Sequence, residues 1–135
     1  YMGGVMDSPD YRSVCTGRTG HAEVVEVVYD PDKIDFTTLL SCFFEWHDPT
    51  QVNRQGPDIG TQYRSAIFPQ TTAQQTEAEE KISQLNQSGH YSQPIATTLE
   101  TSDQAAEVYP FLKFWIAEDY HQDYLDKRGL GHCGI

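Results

Sequence analysis

The sequence predicts an α/β (α+β) fold, a two-layer sandwich in which helices pack on a mixed β-sheet. Residues 22–29 are rich in valine and apolar on both faces, which is typical of a strand covered on both sides. Residues 36–44 carry apolar side chains at helical spacing instead. Because strand-like and helix-like segments continue to alternate along the chain, helices layered on one sheet are the expected architecture.

The first half of the chain is predicted to contribute a strand and a helix. The strand runs from Ala22 to Tyr29, is expected to be central in the sheet, and ends at Asp30-Pro31-Asp32. Asp35 is the expected N-cap of the helix, which ends before Asp48-Pro49. The apolar face of this helix consists of Phe36, Leu39, Leu40, Phe43 and Phe44.

The second half is predicted to hold two further strands and two further helices. A capping box at Thr71 and Gln74 marks the start of the first of these helices, and Gly89 marks its end. A short mobile tail is expected at the end of the chain. In order, the predicted segments are a polar loop from Thr50 to Gly60, a strand from Tyr63 to Phe68, the helix from Thr71 to Gly89, a strand from Pro94 to Leu99, a helix from Ala117 to Lys127 ended by Gly129, and the tail from Leu130 to Ile135.

Composition limits the classes of function. The chain has 135 residues with no internal repeat or linker, so residues 1–135 are expected to form a single domain. Its formal charge of -11, from 20 acidic and 9 basic residues, argues against binding to nucleic acid or anionic membranes. No apolar run approaches the roughly 18 to 20 residues that cross a bilayer. The scattered Cys15, Cys42 and Cys133 do not predict a disulfide framework, which favours a reducing, cytoplasmic location.

A polar pocket is predicted from acidic and phenolic side chains at the ends of predicted strands. Glu23 follows a glycine turn at the entrance of an apolar strand, where desolvation would raise the pKa of its carboxyl. Alternatively, Glu23 is an ordinary strand-end charge that faces water. Asp58 and Tyr63 can likewise serve only a local turn and packing. Taken with Tyr11, these residues predict a pocket of two phenols and two carboxyls able to bind one strongly polarised oxygen.

Three short motifs that suggest other sites lack essential residues. The stretch Gly17 to Gly20 has no following Gly-Lys-Ser or Gly-Lys-Thr, so it does not predict a phosphate loop. Asp30 to Asp32 lacks the glycine and the distal glutamate of a calcium loop. His47 lacks the second histidine of a zinc-binding helix. We therefore expect no metal site.

Three stretches of the sequence resemble the A-type peptide methionine sulfoxide reductases. They are Asp10 to Glu23, Gly56 to Ser65 and Ala117 to Gln122, and the resemblance covers nearly the whole chain. The fold expected with it is the two-layer sandwich with a ferredoxin-like core. The resemblance implies thiol-dependent reduction of methionine S-sulfoxide, free or in proteins, to methionine, and hence a role in protein repair after oxidation.

The resemblance also implies roles for individual residues. Tyr11, Glu23, Asp58 and Tyr63 would shape the sulfoxide pocket, with Glu23 as proton donor and the two tyrosines assisting. Cys133 matches the resolving cysteine, which converts a sulfenic acid on the nucleophile into a disulfide. The alternative for Cys133 is an idle terminal thiol. Thioredoxin is the implied external reductant, and no bound cofactor is implied.

Two departures from the family accompany the resemblance. The Gly-Cys-Phe-Trp-Gly box that carries the nucleophile is expected before Tyr1, so the domain is expected to be incomplete at its N-terminus. Two rival hypotheses follow: a module that binds methionine sulfoxide peptides without turnover, and an enzyme in which Cys15 or Cys133 is the nucleophile. Cys15 and Cys42 are otherwise expected to be structural. Trp46 stands where asparagine is commoner, and is expected to alter packing near the pocket.

Overall fold

The computed structural model describes residues 1–101 and 113–123. Helices and short strands alternate in this part of the chain, which confirms the predicted α/β class. No helix within the described ranges is long and apolar enough to cross a membrane. The helices are α1 (Tyr11–Cys15), α2 (Phe36–Glu45) and α3 (Thr72–Ser88), the strands are β1 (Arg54–Gln55), β2 (Asp58–Ile59), β3 (Ala66–Ile67) and β4 (Thr98–Leu99), and short 3-10 turns lie at Thr61–Tyr63 and Asp119–His121.

The structure confirms the two helices predicted in the middle of the chain. α2 begins after Asp35, whose carboxylate accepts a hydrogen bond from the backbone N–H of Thr38 at 2.7 Å. α3 begins after Thr71, whose hydroxyl accepts one from the backbone N–H of Gln74 at 3.1 Å. It ends at Gly89, whose φ of +74° is a left-handed conformation that glycine adopts without strain. Local capping therefore defines the ends of α3.

The strands predicted at 63–68 and 94–99 are present but shorter than expected. β3 and β4 pair in parallel over two residues each. Tyr63 belongs to a 3-10 turn instead of a strand. Pro69 follows soon after β3 and lacks the N–H that a longer ladder needs. Both strands are therefore confined to the short stretch where their backbones can pair.

The prediction of a central strand from Ala22 to Tyr29 is wrong. Only Ala22 is bridged, to Met2, and the residues after it are not part of a strand. Val25 and Val28 are 86% and 90% exposed. Apolar residues on both faces of a segment indicate cover on both sides. None of the described residues provides that cover for these valines.

The predicted loop at 50–60 and the segment before Ala22, for which no element was predicted, contain structure that periodicity did not reveal. The polar segment 50–60 folds into an antiparallel hairpin of β1 and β2, with Gly56 and Pro57 at the turn. α1 begins after Asp10, which shares a capping box with Ser13. Because α1 has only 5 residues, it is too short for an apolar period to emerge.

The helix predicted from Ala117 to Lys127 is wrong where the structure describes it. Glu118 has a ψ of 147°, far from helical values, and only Asp119–His121 forms a 3-10 turn. The carboxylate of Glu118 binds groups near the N-terminus of the chain, which fits the departure of its backbone from a helix. The remainder of this segment and the predicted tail, 130–135, lie outside the described residues.

The main core lies between the two longer helices and the parallel strand pair. It centres on the buried side chains of Leu40, Phe44 and Ala78. The partly buried apolar residues packed around them are Phe36, Phe43, Ile67, Ile82, Leu85, Ile95 and Leu99. Helices thus pack on strands here, as a layered fold requires. The complete two-layer sandwich with a ferredoxin-like core stays a prediction.

A second buried group surrounds the imidazole of His21, which is 2% exposed. Its Nδ1 accepts a hydrogen bond from the backbone N–H of Gly4 at 3.1 Å. Its Nε2 lies 2.8 Å from the carbonyl oxygen of Met6 and is therefore the protonated nitrogen. A Cβ at Gly4 would overlap the ring. Through these two hydrogen bonds, the neutral imidazole joins the first residues of the chain to the turn that precedes Ala22.

Truncation of the core residue Phe44 is expected to destabilise the fold strongly. The side chain is 3% exposed, and a Phe44→Ala change should cost about 3 to 5 kcal/mol through lost burial and the cavity left behind. The free energy of unfolding in urea measures the effect. Val52→Ala, at a position that is 71% exposed, is the matched control and should change it by less than about 0.5 kcal/mol. Equal losses in the two variants would contradict the assigned core.

Stability is expected to fall as the pH drops below 6.5, the ordinary pKa of a histidine. Burial lowers the pKa of both His21 and His47 in the folded chain. Below pH 6.5 the unfolded chain therefore binds more protons than the folded chain, and acid favours unfolding. Urea midpoints at about pH 7.5 and about pH 5.5 measure the loss. The loss should shrink in His21→Gln and His47→Gln variants, and its persistence in both would contradict the assignment.

Candidate functional site

Backbone hydrogen bonds tie the segment that carries Glu23 to the residues before Tyr63. Ala22 pairs with Met2 through bonds of 2.8 and 3.1 Å. The N–H of Glu23 then donates to the carbonyl oxygen of Gln62 at 2.9 Å. Gln62 is itself buried. Glu23 is therefore positioned beside the 3-10 turn that ends in Tyr63.

The β1–β2 hairpin carries Asp58, and Gly60 joins this hairpin to the turn that carries Tyr63. Asp58 is the first residue of β2. Gly60 follows this strand with a φ of +147°, and its N–H donates to the carbonyl oxygen of Asn53 at 2.9 Å. A Cβ at Gly60 would overlap the side chain of Gln62. Glycine is therefore required for the hairpin to lead directly into the turn that carries Tyr63.

The short helix α1 presents Tyr11 to the same region. Its N-terminus is capped in both directions, since Asp10 accepts from the N–H of Ser13 at 2.8 Å and Ser13 Oγ accepts from the N–H of Asp10 at 2.9 Å. The N–H of Tyr11 donates to Oε2 of Glu118 at 3.0 Å. The Tyr11 ring packs against the imidazole of His121, with 4.8 Å between the ring centroids. These contacts hold Tyr11 from both ends.

The carboxyl of Glu23 is shifted toward its protonated form. Desolvation raises its pKa, although the residue is exposed, as the alternative of a strand-end charge facing water expects. The charge of His121 acts in the opposite direction, and the charge of Asp58 adds to the rise. The shift predicted from the sequence is therefore present. Glu23 retains a proton to higher pH than an ordinary glutamic acid does.

Both phenols of the site have raised pKa values as well. Burial is the main cause for Tyr63, followed by the acidic groups of Glu23 and Cys15. The hydrogen bond with the thiol of Cys15 is the main cause for Tyr11. Both tyrosines are therefore O–H donors at neutral pH, which is the form that can bind a polarised oxygen.

Cys15 is a member of this cluster that the sequence did not place in the pocket, although it was considered as a rival nucleophile. A structural, buried cysteine was expected, but the residue is exposed. It lies one helical turn after Tyr11, so the two side chains share a face of α1. Its carbonyl oxygen accepts a hydrogen bond from Nε2 of Gln62 at 3.3 Å. The spacing of Tyr11 and Cys15 would have been informative only if α1 had been predicted.

Glu118 is the second residue that the sequence did not single out. Its Oε1 accepts from the hydroxyl of Tyr1 at 3.0 Å. Its Oε2 accepts from the backbone N–H of Tyr11 at 3.0 Å and from the hydroxyl of Tyr120 at 3.3 Å. The contact with Tyr11 spans 107 positions of the sequence, and local pattern carries no signal at such a separation. Glu118 thus anchors the start of α1 to the segment around residue 120.

The structure brings together four of the five predicted site residues, namely Tyr11, Glu23, Asp58 and Tyr63. The fifth, Cys133, lies outside the described residues. In residues 1–101 and 113–123, no group of three or more histidines, cysteines or carboxylates is arranged to hold a metal ion. The arrangement combines a carboxyl of raised pKa with two phenolic donors. Such a site suits acid-assisted chemistry on a polarised oxygen.

Comparison with known proteins identifies the family of this chain. The family model described as peptide methionine sulfoxide reductase matches residues 1–135. The chain is 51% identical over 133 residues to peptide methionine sulfoxide reductase MsrA of Methanoculleus marisnigri, which covers 98% of this chain and 76% of that protein. It is 53% identical over 135 residues to the protein of the same name from Acidobacterium capsulatum, covering 100% of this chain and 81% of that protein. The chain belongs to the peptide methionine sulfoxide reductase family.

Solved structures agree with this assignment. Methionine sulfoxide reductase A of Corynebacterium diphtheriae is similar with a TM-score of 0.75 and 41% identity, covering 98% of this chain. This chain spans 63% of the length of that structure. Mxr1 of Saccharomyces cerevisiae in its reduced form is similar with a TM-score of 0.77 and 39% identity, covering 98% of this chain and 71% of that one. The described elements therefore follow the fold of this family.

Titration of Glu23 tests the electrostatics of the site. Its midpoint is expected above 4.5, the ordinary value, when its side-chain carboxyl carbon is followed by NMR. Asp58→Asn should lower the midpoint because the charge of Asp58 contributes to the rise. Asp32→Asn, a change outside the site, is the matched control and should leave it unchanged. A Glu23 midpoint at or below 4.5, or equal effects of the two variants, would contradict the described site.

Proposed function

We propose that this protein reduces methionine S-sulfoxide, free or within proteins, to methionine, and so repairs proteins after oxidation. The observation that carries this proposal is the cluster of Glu23, with its raised pKa, beside Asp58 and the phenols of Tyr11 and Tyr63. A sulfoxide has a strongly dipolar S–O bond, and its oxygen must receive a proton before it can leave sulfur. This cluster offers hydrogen bonds to the oxygen and a proton for it.

The first step is the attack of a thiolate on the sulfoxide sulfur. Tyr11 and Tyr63 hold the oxygen by hydrogen bonds, and Glu23 donates its proton to that oxygen as the S–O bond breaks. The oxygen passes to the attacking thiol, which becomes a sulfenic acid, and methionine leaves. The sulfoxide gains two electrons and the thiol loses two. Asp58 favours this step because its charge helps to keep Glu23 protonated.

The second step is the resolution of the sulfenic acid. A second thiol, for which we propose Cys133, attacks the sulfenic sulfur, so that a disulfide forms and the hydroxyl leaves as water. The dithiol of thioredoxin then reduces this disulfide by exchange. The reaction needs no bound cofactor. A reducing, cytoplasmic location fits the dependence on external thiols.

The source of the attacking thiol separates the proposal from its alternative. The family resemblance assigns the nucleophile to a Gly-Cys-Phe-Trp-Gly box, and this box does not occur in residues 1–135. These residues are therefore proposed to supply the pocket, the acid and the resolving thiol. The same observation favours a second candidate function, in which this polypeptide binds methionine sulfoxide peptides without turnover.

Replacement of Glu23 is expected to abolish methionine formation. A single-turnover assay mixes a peptide that contains one methionine S-sulfoxide with the 135-residue chain, both alone and preceded by the Gly-Cys-Phe-Trp-Gly segment that would supply the attacking thiol. Methionine and free thiols are counted before and after. Glu23→Gln keeps the shape of the side chain but cannot donate the proton, so the rate should fall by about 100-fold or more. Glu26→Gln, at an exposed position of the same segment, is the matched control and should keep the rate.

Each outcome of this assay decides between the candidates. Methionine from the S epimer, lost in the Glu23 variant but kept in the Glu26 variant, supports reduction by this pocket. Methionine formation with a loss of two thiols from the 135-residue chain alone would show that cysteines of this chain carry the chemistry. Saturable binding of the S epimer without methionine supports the binding function and contradicts turnover by residues 1–135. No preference for the S-sulfoxide peptide over the unoxidised peptide would overturn both.

A further inference from the structure

A concavity separate from the candidate site lies between the end of α2 and the segment after α3. Its volume is about 620 Å³. Aromatic rings and carboxylates dominate its lining, and we call it the aromatic groove. The residues that define it here are Phe44, Glu45, Trp46, Asp48, His90 and Tyr91. The residues assigned to sulfoxide reduction do not contribute to this lining.

The walls of the aromatic groove are held in place by the fold. Phe44 forms the base and is 3% exposed, since it belongs to the main core. The hydroxyl of Tyr91 donates to the carbonyl oxygen of Phe44 at 3.3 Å, and the rings of Tyr91 and His90 meet edge to face with centroids 4.8 Å apart. Trp46 terminates α2 through its N–H, which donates to the carbonyl oxygen of Cys42 at 3.1 Å. The groove is therefore preformed.

Trp46 is the unusual member of this surface. Its side chain is 53% exposed, although an indole is among the side chains that gain most from burial. A tryptophan that is held at a helix end and faces a groove offers a flat aromatic surface to a ligand.

The charge of the aromatic groove is negative. Glu45 and Asp48 are both exposed at its edge. Hydrogen bonds from Thr50 lower the pKa of Asp48, so that its carboxylate is ionised at neutral pH. Among residues 1–101 and 113–123, no lysine or arginine lines the groove. The whole chain carries a formal charge of -11. An acidic ligand is repelled here and a basic one is attracted.

We propose that the aromatic groove binds an arginine side chain of a basic peptide segment. The planar guanidinium stacks on the face of Trp46, and its N–H groups donate to the carboxylates of Glu45 and Asp48. Tyr91 and His90 close the opposite wall. Arginine is preferred over lysine because a planar cation satisfies the aromatic face and two carboxylates at once. This inference does not depend on the proposed reductase activity.

Calorimetric titration with a short peptide tests the proposal. The probe is acetyl-Gly-Arg-Gly-Arg-Gly-amide, and the matched probe carries neutral citrulline in place of each arginine. The arginine peptide should bind at least about tenfold more tightly than the citrulline peptide. Trp46→Asn should weaken its binding by at least about tenfold. Val52→Asn, an exposed apolar position outside the groove, is the matched control and should leave the affinity unchanged.

The two tryptophans of the chain provide a second readout that needs no variant. Addition of the arginine peptide should shift the indole N–H signal of Trp46 in the NMR spectrum. The signal of Trp115, whose ring already has the ammonium of Lys113 at 4.0 Å from its centroid, should stay in place. Equal binding of the citrulline peptide, an unchanged affinity in a folded Trp46→Asn variant, or an unmoved Trp46 signal would overturn the proposal. A lysine peptide that binds as tightly would overturn the preference for arginine.

Discussion

The candidate site depends on the contacts of one buried glutamine, Gln62. Its carbonyl oxygen accepts the hydrogen bond of the Glu23 N–H, and its Nε2 donates to the carbonyl oxygen of Cys15 at the end of α1. Tyr63 is the residue that follows Gln62 in the chain. The acid, one phenol and the helix that carries Tyr11 therefore converge on a single side chain and its backbone.

The electrostatics of the site favour a neutral but polar substrate. Burial and the charge of Asp58 raise the pKa of Glu23, while His121 limits the rise. The result is a carboxyl whose pKa is raised although the residue is exposed to water. In a chain with a formal charge of -11, an anionic substrate would be repelled from these groups. A sulfoxide carries its negative charge only as the end of a dipole, so the proposed substrate would not be repelled in this way.

Sequence reasoning predicted those parts of the fold and site that depend on local chemistry. The caps of α2 and α3 follow from neighbouring residues, and the structure bears them out. The pKa of Glu23 is raised in the predicted direction, but without the strand from which the rise was predicted. The strand predicted at 22–29 is absent from the structure. The apolar pattern of these residues indicates that the segment needs other residues packed on both faces, but it does not show which residues would pack there. The cluster around Glu118 was missed because its contacts join distant parts of the chain. The residue roles in catalysis came from family resemblance and remain proposals.

The exposed valines after Glu23 have a consequence for how the protein behaves at high concentration. Val25, Val27 and Val28 are 86%, 56% and 90% exposed, and no described residue pairs with this stretch as a strand. An apolar segment with free backbone donors and acceptors is a template to which another chain can add. Self-association through this segment is thus the physical hazard at high concentration.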